Sequence, residues 1–293
     1  MKPAKFEYHA PKTLDEAVNL LGRYGEDARI LAGGQSLVPL LNFRIFQPQA
    51  LISINHCAEL AYLRVEPDGL VCGALTRQAE AEQSADVQDT CPLLSAALPW
   101  IGGVSNRNRG TVCGSLAHAD PLAELTAVAM ALDARFSIVG TKGRRQASAA
   151  EFFLGDLTTC IEPGEMLEAV HFPRSGKNAS AAFVEVGNRW HGFAVVGVGA
   201  HVECDDVGVF QTVRLSAIGV GSTPVRLTES EKILQGTRGE TQALQEACNV
   251  AAVDLDPPGG FHADSAYKSG VLGTLVERAL NETQALRLQK EAR

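Results

Sequence analysis

Two short stretches carry residue types suited to holding an anionic ligand. In Leu31-Ala-Gly-Gly-Gln-Ser-Leu-Val-Pro-Leu-Leu41, the pair Gly33-Gly34 joins an apolar run to a segment with helical character. Glycine tolerates positive φ and lets a ligand approach the backbone closely. At a strand-to-helix turn its amides point at an anion, aided by the helix dipole. Gln35 and Ser36 add side-chain donors. A tight turn with no ligand would need the same glycines, so this loop alone leaves both readings open. The second stretch is Asn106-Arg-Asn-Arg-Gly-Thr-Val-Cys-Gly-Ser-Leu-Ala-His-Ala-Asp-Pro121. It reads as a polar loop with backbone donors near Gly110 and Gly114, hydroxyls at Thr111 and Ser115, and carboxylates at Asp120 and, just beyond it, Glu124. Two such loops, each opening onto a helix, suit the two phosphates of a dinucleotide, with the carboxylates accepting from its sugar hydroxyls.

Other chemistries lose ground. Neither stretch is a G-x-G-x-x-G fingerprint or a G-x-x-x-x-G-K-[ST] loop, which disfavours a nicotinamide site of the Rossmann type and an ATPase. Gly197-Val-Gly199 and Gly219-Val-Gly221 lie in or beside strands and read as packing glycines. The seven cysteines are scattered, with no C-x-x-C, so neither an iron–sulfur cluster nor a structural zinc is expected in this chain. A net charge of −8 disfavours nonspecific nucleic-acid binding. The absence of a secretory h-region, of an 18-residue apolar run and of paired cysteines points to a cytoplasmic protein without a membrane span.

The elements that must position these residues follow from periodicity. Thr13-Leu-Asp-Glu16 is a capping box opening a helix Leu14–Tyr24. Ala28–Ala32 reads as a strand, Ser36–Phe43 as a helix and Ala50–Asn55 as a strand, a small βαβαβ unit in the first 57 residues. Next come a hairpin around Pro67-Asp-Gly69, a helix Cys91–Trp100, a helix Pro121–Leu132 with proline in its first turn, and strands at Phe136–Val139 and Met166–Phe172. The turn-rich Pro173–Asn178 marks a domain boundary. Beyond it, strands Ala181–Val186, Val195–Cys204 and Val213–Gly219 precede helices Thr228–Leu234, Thr241–Val253 and Asp264–Asn281, with a charged tail expected to fray. The expected fold is α+β: residues 1–176 in two α/β subdomains (about 1–57 and 58–176), then residues 177–293 with a three-stranded antiparallel sheet and a helical bundle.

In that order and at that spacing, AGGQSLVPLLNFR (32–44) and RNRGTVCGSLAHADPLAEL (107–125) resemble the medium, FAD-binding subunit of molybdenum hydroxylases. This is the carbon monoxide dehydrogenase and xanthine dehydrogenase superfamily. Matches continue through FFLGDLTTCIEPGEML (152–167), GFAVVGVGAHV (192–202), AIGVGSTPVR (217–226) and DSAYKSGVLGTLVERAL (264–280). The resemblance implies a PCMH-type FAD-binding domain over 1–176 and a flavoprotein C-terminal domain over 177–293. It implies that Ala32, Gly33, Gly34, Gln35 and Ser36 form one FAD pyrophosphate loop and Thr111, Val112, Cys113, Gly114 and Ser115 the other. Asp120 and Glu124 match acidic positions near the cofactor's hydroxyls, Ile161 an apolar position near the flavin ring, and Phe193 an aromatic position against it. No catalytic acid or base and no metal ligand is implied. Two departures stand out: Cys113-Gly114 where relatives carry two glycines, and His191-Gly192 where relatives often carry Gly-Asp.

The resemblance further implies an oxidoreductase component that passes electrons from [2Fe-2S] clusters of a small partner, through FAD, to an external acceptor. Molybdopterin would lie in a large partner, in a dimer of heterotrimers. The alternative is a self-contained FAD-dependent oxidase or reductase on the same fold, which would need its own substrate pocket in the C-terminal domain. A third reading is a cofactor-free binding module. His118 reads as a structural or cofactor-contacting residue of the second loop. His191, with Arg189 and Trp190, reads as a partner-facing group or a plain turn, and Arg107 and Arg109 as phosphate neutralisers or surface charges.

Overall fold

The computed structural model describes all residues except 190, 191, 254, 256, 261, 262, 292 and 293. The first subdomain is β1 (Glu7–His9), α1 (Leu14–Tyr24), β2 (Ala28–Leu31), α2 (Leu37–Asn42) and β3 (Ala50–Ser53). Its three strands are parallel in the order β1-β3-β2, as a βαβαβ unit requires. Thr13 caps α1 by accepting from the Glu16 amide, and Leu14, Ala17, Val18 and Leu21 face a small core with Ile52 and Ile54. The Glu16 carboxylate reaches back one residue further than a capping box specifies and accepts from the Lys12 amide at 2.8 Å.

The second subdomain holds β4 (Leu63–Glu66), β5 (Gly69–Gly73), α3 (Gln78–Gln83), α4 (Ala85–Thr90), α5 (Pro92–Ala97), α6 (Val104–Arg109), α7 (Val112–His118) and α8 (Glu124–Ala131). It continues with β6 (Arg135–Gly140), β7 (Gly143–Ser148), α9 (Ala149–Phe152), β8 (Phe153–Gly155), β9 (Thr158–Thr159) and β10 (Glu165–Pro173). A five-stranded antiparallel sheet runs β4-β5-β10-β6-β7. Phe136 stacks on Phe152 at 3.8 Å between centroids, with Phe153 edge-on to both.

The third part has β11 (Ala179–Gly187), β12 (Ala194–Cys204), β13 (Phe210–Ile218), β14 (Val225–Arg226), α10 (Thr228–Leu234), α11 (Thr241–Val253) and α12 (Ser265–Glu291). The short β14 extends the expected three-stranded antiparallel sheet to four. One face packs on α10 to α12 through Val196, Val198, Leu272 and Val276. The other contributes Phe183 and Ile218 to the core shared with α5 and α8.

Several expected elements shift. The helix expected from Pro121 begins at Glu124, because Asp120 first makes a turn: its Oδ1 accepts from the Leu122 amide at 2.9 Å and its carbonyl from Ala123 at 3.0 Å. The charged tail does not fray at Asn281 but continues α12 to Glu291. The polar edge strand β7, GRRQAS, is not among the expected strands, because it lacks apolar alternation. Most consequential, the stretch read as a loop over 106–121 is largely helical, the end of α6 followed by α7.

Candidate functional site

The two expected loops touch. The second begins at Gly110 and Thr111, held by the strap Thr76-Arg77-Gln78 that follows β5. The Gln78 amide donates to Gly110 O at 2.9 Å and the Val112 amide to Thr76 O at 3.0 Å. Thr111 then caps α7, its Oγ1 accepting from the Gly114 amide at 3.0 Å. The first loop lies against this turn so closely that a Cβ built on Gly33 would sit 2.4 Å from Arg109 O and 2.8 Å from Gly110 Cα. Gly33 is therefore required where the two loops meet, whereas Gly34 is required by its φ of +76°.

A further pair of side chains fastens the loops. Asn55, just past β3, donates to Leu31 O and to Ala32 O at 3.2 and 2.9 Å. Its Oδ1 accepts from Arg77 Nη2 at 2.8 Å, and Arg77 Nη1 donates to Arg109 O. Arg77 and Asn55 were missed by sequence reasoning. The available signal for Arg77 was the polar run Thr76-Arg77-Gln78, two residues beyond the buried strand GLVCG, since connecting segments carry sites. Replacing Arg77 with lysine keeps the charge but loses the planar fork that spans both loops. The expected outcome is about tenfold weaker cofactor retention, on the order of the two hydrogen bonds lost, measured by flavin content after desalting.

Between these fasteners the backbone is left open. Among the described residues, the four successive amides of Gly33, Gly34, Gln35 and Ser36 donate to no protein acceptor, and neither does that of Cys113. The Gln35 side chain folds back on Gly33 O at 3.3 Å, and the exposed Ser36 makes no capping bond to α2. A run of unpaired amides next to a positive-φ glycine is an anion-binding concavity. Arg109 is exposed, with no ion pair among the described residues, and suits charge neutralisation. Arg107 does not: it is buried in a bidentate pair with Glu82.

Cys113 lies inside α7, so its backbone needs no positive φ and the departure from glycine there is tolerated. Its thiol is enclosed, donates to Cys72 O at 3.4 Å, and is pushed up to about 12 by burial, which makes it a packing residue. Val112 is buried beside it, while Ser115 is partly open. His118 closes α7; burial lowers its pKa, opposed by Asp120. Ala119 turns the chain in the left-handed region, φ 50°, and its carbonyl accepts from the Leu157 amide at 3.1 Å. That bond ties the segment bearing half-buried Ile161 to the end of α7. Phe193 is 73% exposed at the entry to β12. Its neighbours Trp190 and His191 lie outside the described residues.

Glu124, in the first turn of α8, is 7% exposed, and no other described residue hydrogen-bonds its carboxylate. Burial, with a smaller push from Asp120, raises its pKa to about 7. The folded chain thus binds more protons than the unfolded one between the ordinary glutamate value of 4.5 and about 7. Stability falls as pH rises through that window and levels off above it. Glu124→Gln should flatten this slope and raise the stability of the cofactor-free chain by about 2 kcal/mol at pH 8.5, read from urea unfolding at several pH values.

This geometry coincides with a family match. The family described as the FAD binding domain in molybdopterin dehydrogenase matches residues 4–175, and the CO dehydrogenase flavoprotein C-terminal domain matches residues 181–283. The chain belongs to the FAD-binding medium subunits of the molybdenum hydroxylases. Among relatives of this family, the 6-hydroxypseudooxynicotine dehydrogenase complex subunit alpha of Paenarthrobacter nicotinovorans is 38% identical, over 96% of this chain and 95% of that one. The carbon monoxide dehydrogenase medium chain of Hydrogenophaga pseudoflava is 35% identical, over 97% of this chain and 99% of that one. The solved carbon monoxide dehydrogenase from that organism superposes with a TM-score of 0.93 at 35% identity, again covering 97% and 99% of the two chains. Quinoline 2-oxidoreductase from Pseudomonas putida 86 superposes at 0.92 with 29% identity, over 97% and 99%. The medium-subunit family comprises components of oxidoreductases, and this chain is one such component. No helix among the described residues is long and apolar enough to cross a membrane.

Proposed function

We propose that this chain is the electron-transfer subunit of a heteromeric molybdenum hydroxylase. In this reading it receives electrons from [2Fe-2S] clusters of a small partner and passes them through FAD to an external acceptor. A large partner carries molybdopterin, and the assembly is a dimer of heterotrimers working in the cytoplasm. Residues 1–176 hold the cofactor and residues 177–293 close over it. The observation that carries the reading is the row of unpaired amides from Gly33 to Ser36, pressed against the Gly110-Thr111 turn.

The chain's own residues bind and orient. The amides of the first loop, with that of Cys113, hold the diphosphate, with Ala32 and Val112 as apolar walls and Gln35, Ser36, Thr111 and Ser115 as hydroxyl and amide partners. The charge of Arg109 offsets the phosphates. Asp120 and Glu124 accept from the sugar-chain hydroxyls. Half-buried Ile161 and exposed Phe193 would supply apolar contact to the ring. When bound, FAD supplies one- and two-electron redox chemistry, and the protein tunes its potential. The match of residues 181–283 to a CO dehydrogenase flavoprotein C-terminal domain favours the relay over a self-contained oxidase.

The test loads the full chain with FAD, desalts it and identifies the released flavin by chromatography. Stoichiometric FAD is expected, and flavin-free protein would sink the reading. Purification from the native source should bring down a cluster-bearing and a molybdopterin-bearing chain. Turnover of an alcohol by the isolated chain would favour the self-contained oxidase instead.

A further inference from the structure

A second carboxylate lies across from Glu124, in the C-terminal half of the chain. Glu185 sits near the end of β11, paired in register with Gly197 of β12. By strand alternation it shares a face with Phe183, two residues earlier. That face packs on α5 and α8: Phe183 joins the core that contains Leu93, and Ser216 Oγ donates to Ala127 O at 2.7 Å. The face thus meets the helix whose first turn carries Glu124. Glycine at 197 leaves the position beside Glu185 without a side chain of its own, and Phe183 and Ile218 close over it.

The polar accounting at this seam does not close. Glu185 Oε2 is enclosed and has no hydrogen-bond partner, and no ion pair to Glu185 or Glu124 exists among the described residues. Burial first, and Glu124 second, push the Glu185 carboxyl up to about 8. Asp120 adds a third acid on the Glu124 side. Two nearby carboxyl groups, one buried and the other half-buried with one enclosed oxygen, are costly without a donor unless each keeps a proton or a ligand brings donors. The site is well suited to a donor-rich ligand, and a flavin carries such donors in its ribityl hydroxyls and its ring N–H.

We infer that Glu185 is a cofactor-contacting residue that pairs with Glu124 to form a two-sided acceptor for the flavin's hydroxyl and N–H donors. Each half of the chain contributes one carboxylate, so the cofactor is held by both. This inference rests on the FAD reading above and deepens it. It also gives the C-terminal sheet a direct hand in tuning the cofactor, because a carboxylate near the ring opposes the gain of negative charge on reduction.

The test uses the full chain with Glu185→Gln and Glu185→Leu, loaded with FAD, reading affinity by fluorescence titration and midpoint potential by spectroelectrochemistry. Glu185→Leu is expected to bind FAD about tenfold more weakly, the scale of one charge-assisted hydrogen bond. Glu185→Gln should keep most of the affinity but move the potential to a more positive value, a change that a packing role would not produce. Should the leucine variant fail to fold, the potential of the glutamine variant decides alone. Wild-type chain that binds FAD, with variants of unchanged affinity and potential, overturns this inference and leaves the FAD reading standing. Wild-type chain that never binds FAD overturns both.

Discussion

Gly33→Val is expected to abolish FAD retention, with a loss of affinity greater than about a hundredfold, and to cost about 2 kcal/mol of stability. The reason is contact between two stretches of backbone. A Cβ at this position would lie 2.4 Å from Arg109 O and 2.8 Å from Gly110 Cα, and neither atom can rotate away as a side-chain tip can. The loops must separate, which moves the open amides of Gly33 to Ser36 away from Thr111 and Cys113. The Asn55–Arg77 fastener spans the same gap and would be stretched with it. Gly34→Ala is the informative comparison. Its Cβ would meet only the side-chain methyls of Leu31 and Val38, at 3.1 Å each, so the main cost is that of a non-glycine residue at positive φ, about 1 kcal/mol. Flavin content and thermal melts of both variants check the claim. Full FAD occupancy in a destabilised Gly33→Val chain would show that close approach of the loops serves the fold alone.

Arg107→Met should destabilise the chain by about 3 kcal/mol, the low end for breaking an ion pair from one side, because Glu82 keeps a quarter of its side chain exposed. Arg107 Nε and Nη2 grip both oxygens of Glu82, at 2.7 and 3.1 Å, while Nη1 donates to Ile101 O at 3.1 Å and Gly102 O at 2.8 Å. One guanidinium thus joins α3 to α6 and to the turn between Trp100 and Gly103. Methionine fills the volume but leaves Glu82 and two carbonyls without donors. The melting temperature should fall by roughly 8 °C for a chain of this size. Adding Glu82→Met should recover part of the loss, because the uncompensated charge then disappears. A single variant that melts with the wild type would show that the Arg107–Glu82 pair adds nothing to stability.

Much of the framework was legible because period and punctuation agreed. Thr228–Leu234 and Thr241–Val253 were read with the bounds they have, and Thr13 caps its helix as its spacing implies. The glycine pair of the first loop was legible as a candidate site, but the packing reason for Gly33 was not. Half of the constraint on it is the neighbouring turn, more than seventy residues away in sequence. Helix α7 was hidden because Gly114, Thr111 and Ser115 are weak helix formers, and its stability comes from the Thr111 cap and the burial of Val112, Cys113 and Leu116. The role of Arg107 was undecidable from sequence, since nothing local distinguishes an arginine that meets Glu82 from one that meets solvent. Glu185 was invisible for the same reason: in FVEV it reads as the polar member of an alternating strand, and only the fold reveals that one of its oxygens is enclosed without a partner.

Helix α8 belongs to both halves of the chain. Its N-terminal turn presents Glu124, Ala127 O accepts from Ser216, and Ala131 O accepts from Arg214 at 3.3 Å. Asp133, just after it, meets both Arg214 and Arg226, and Pro121 O, just before it, accepts from the Gly219 amide at 3.0 Å. Melting either half therefore strips hydrogen-bond partners from the other. The two regions matched by separate families should consequently unfold as a single cooperative unit, with one calorimetric peak whose van't Hoff and calorimetric enthalpies agree. A chain cut at the intervening linker would yield halves that recognise each other more readily than they stand alone.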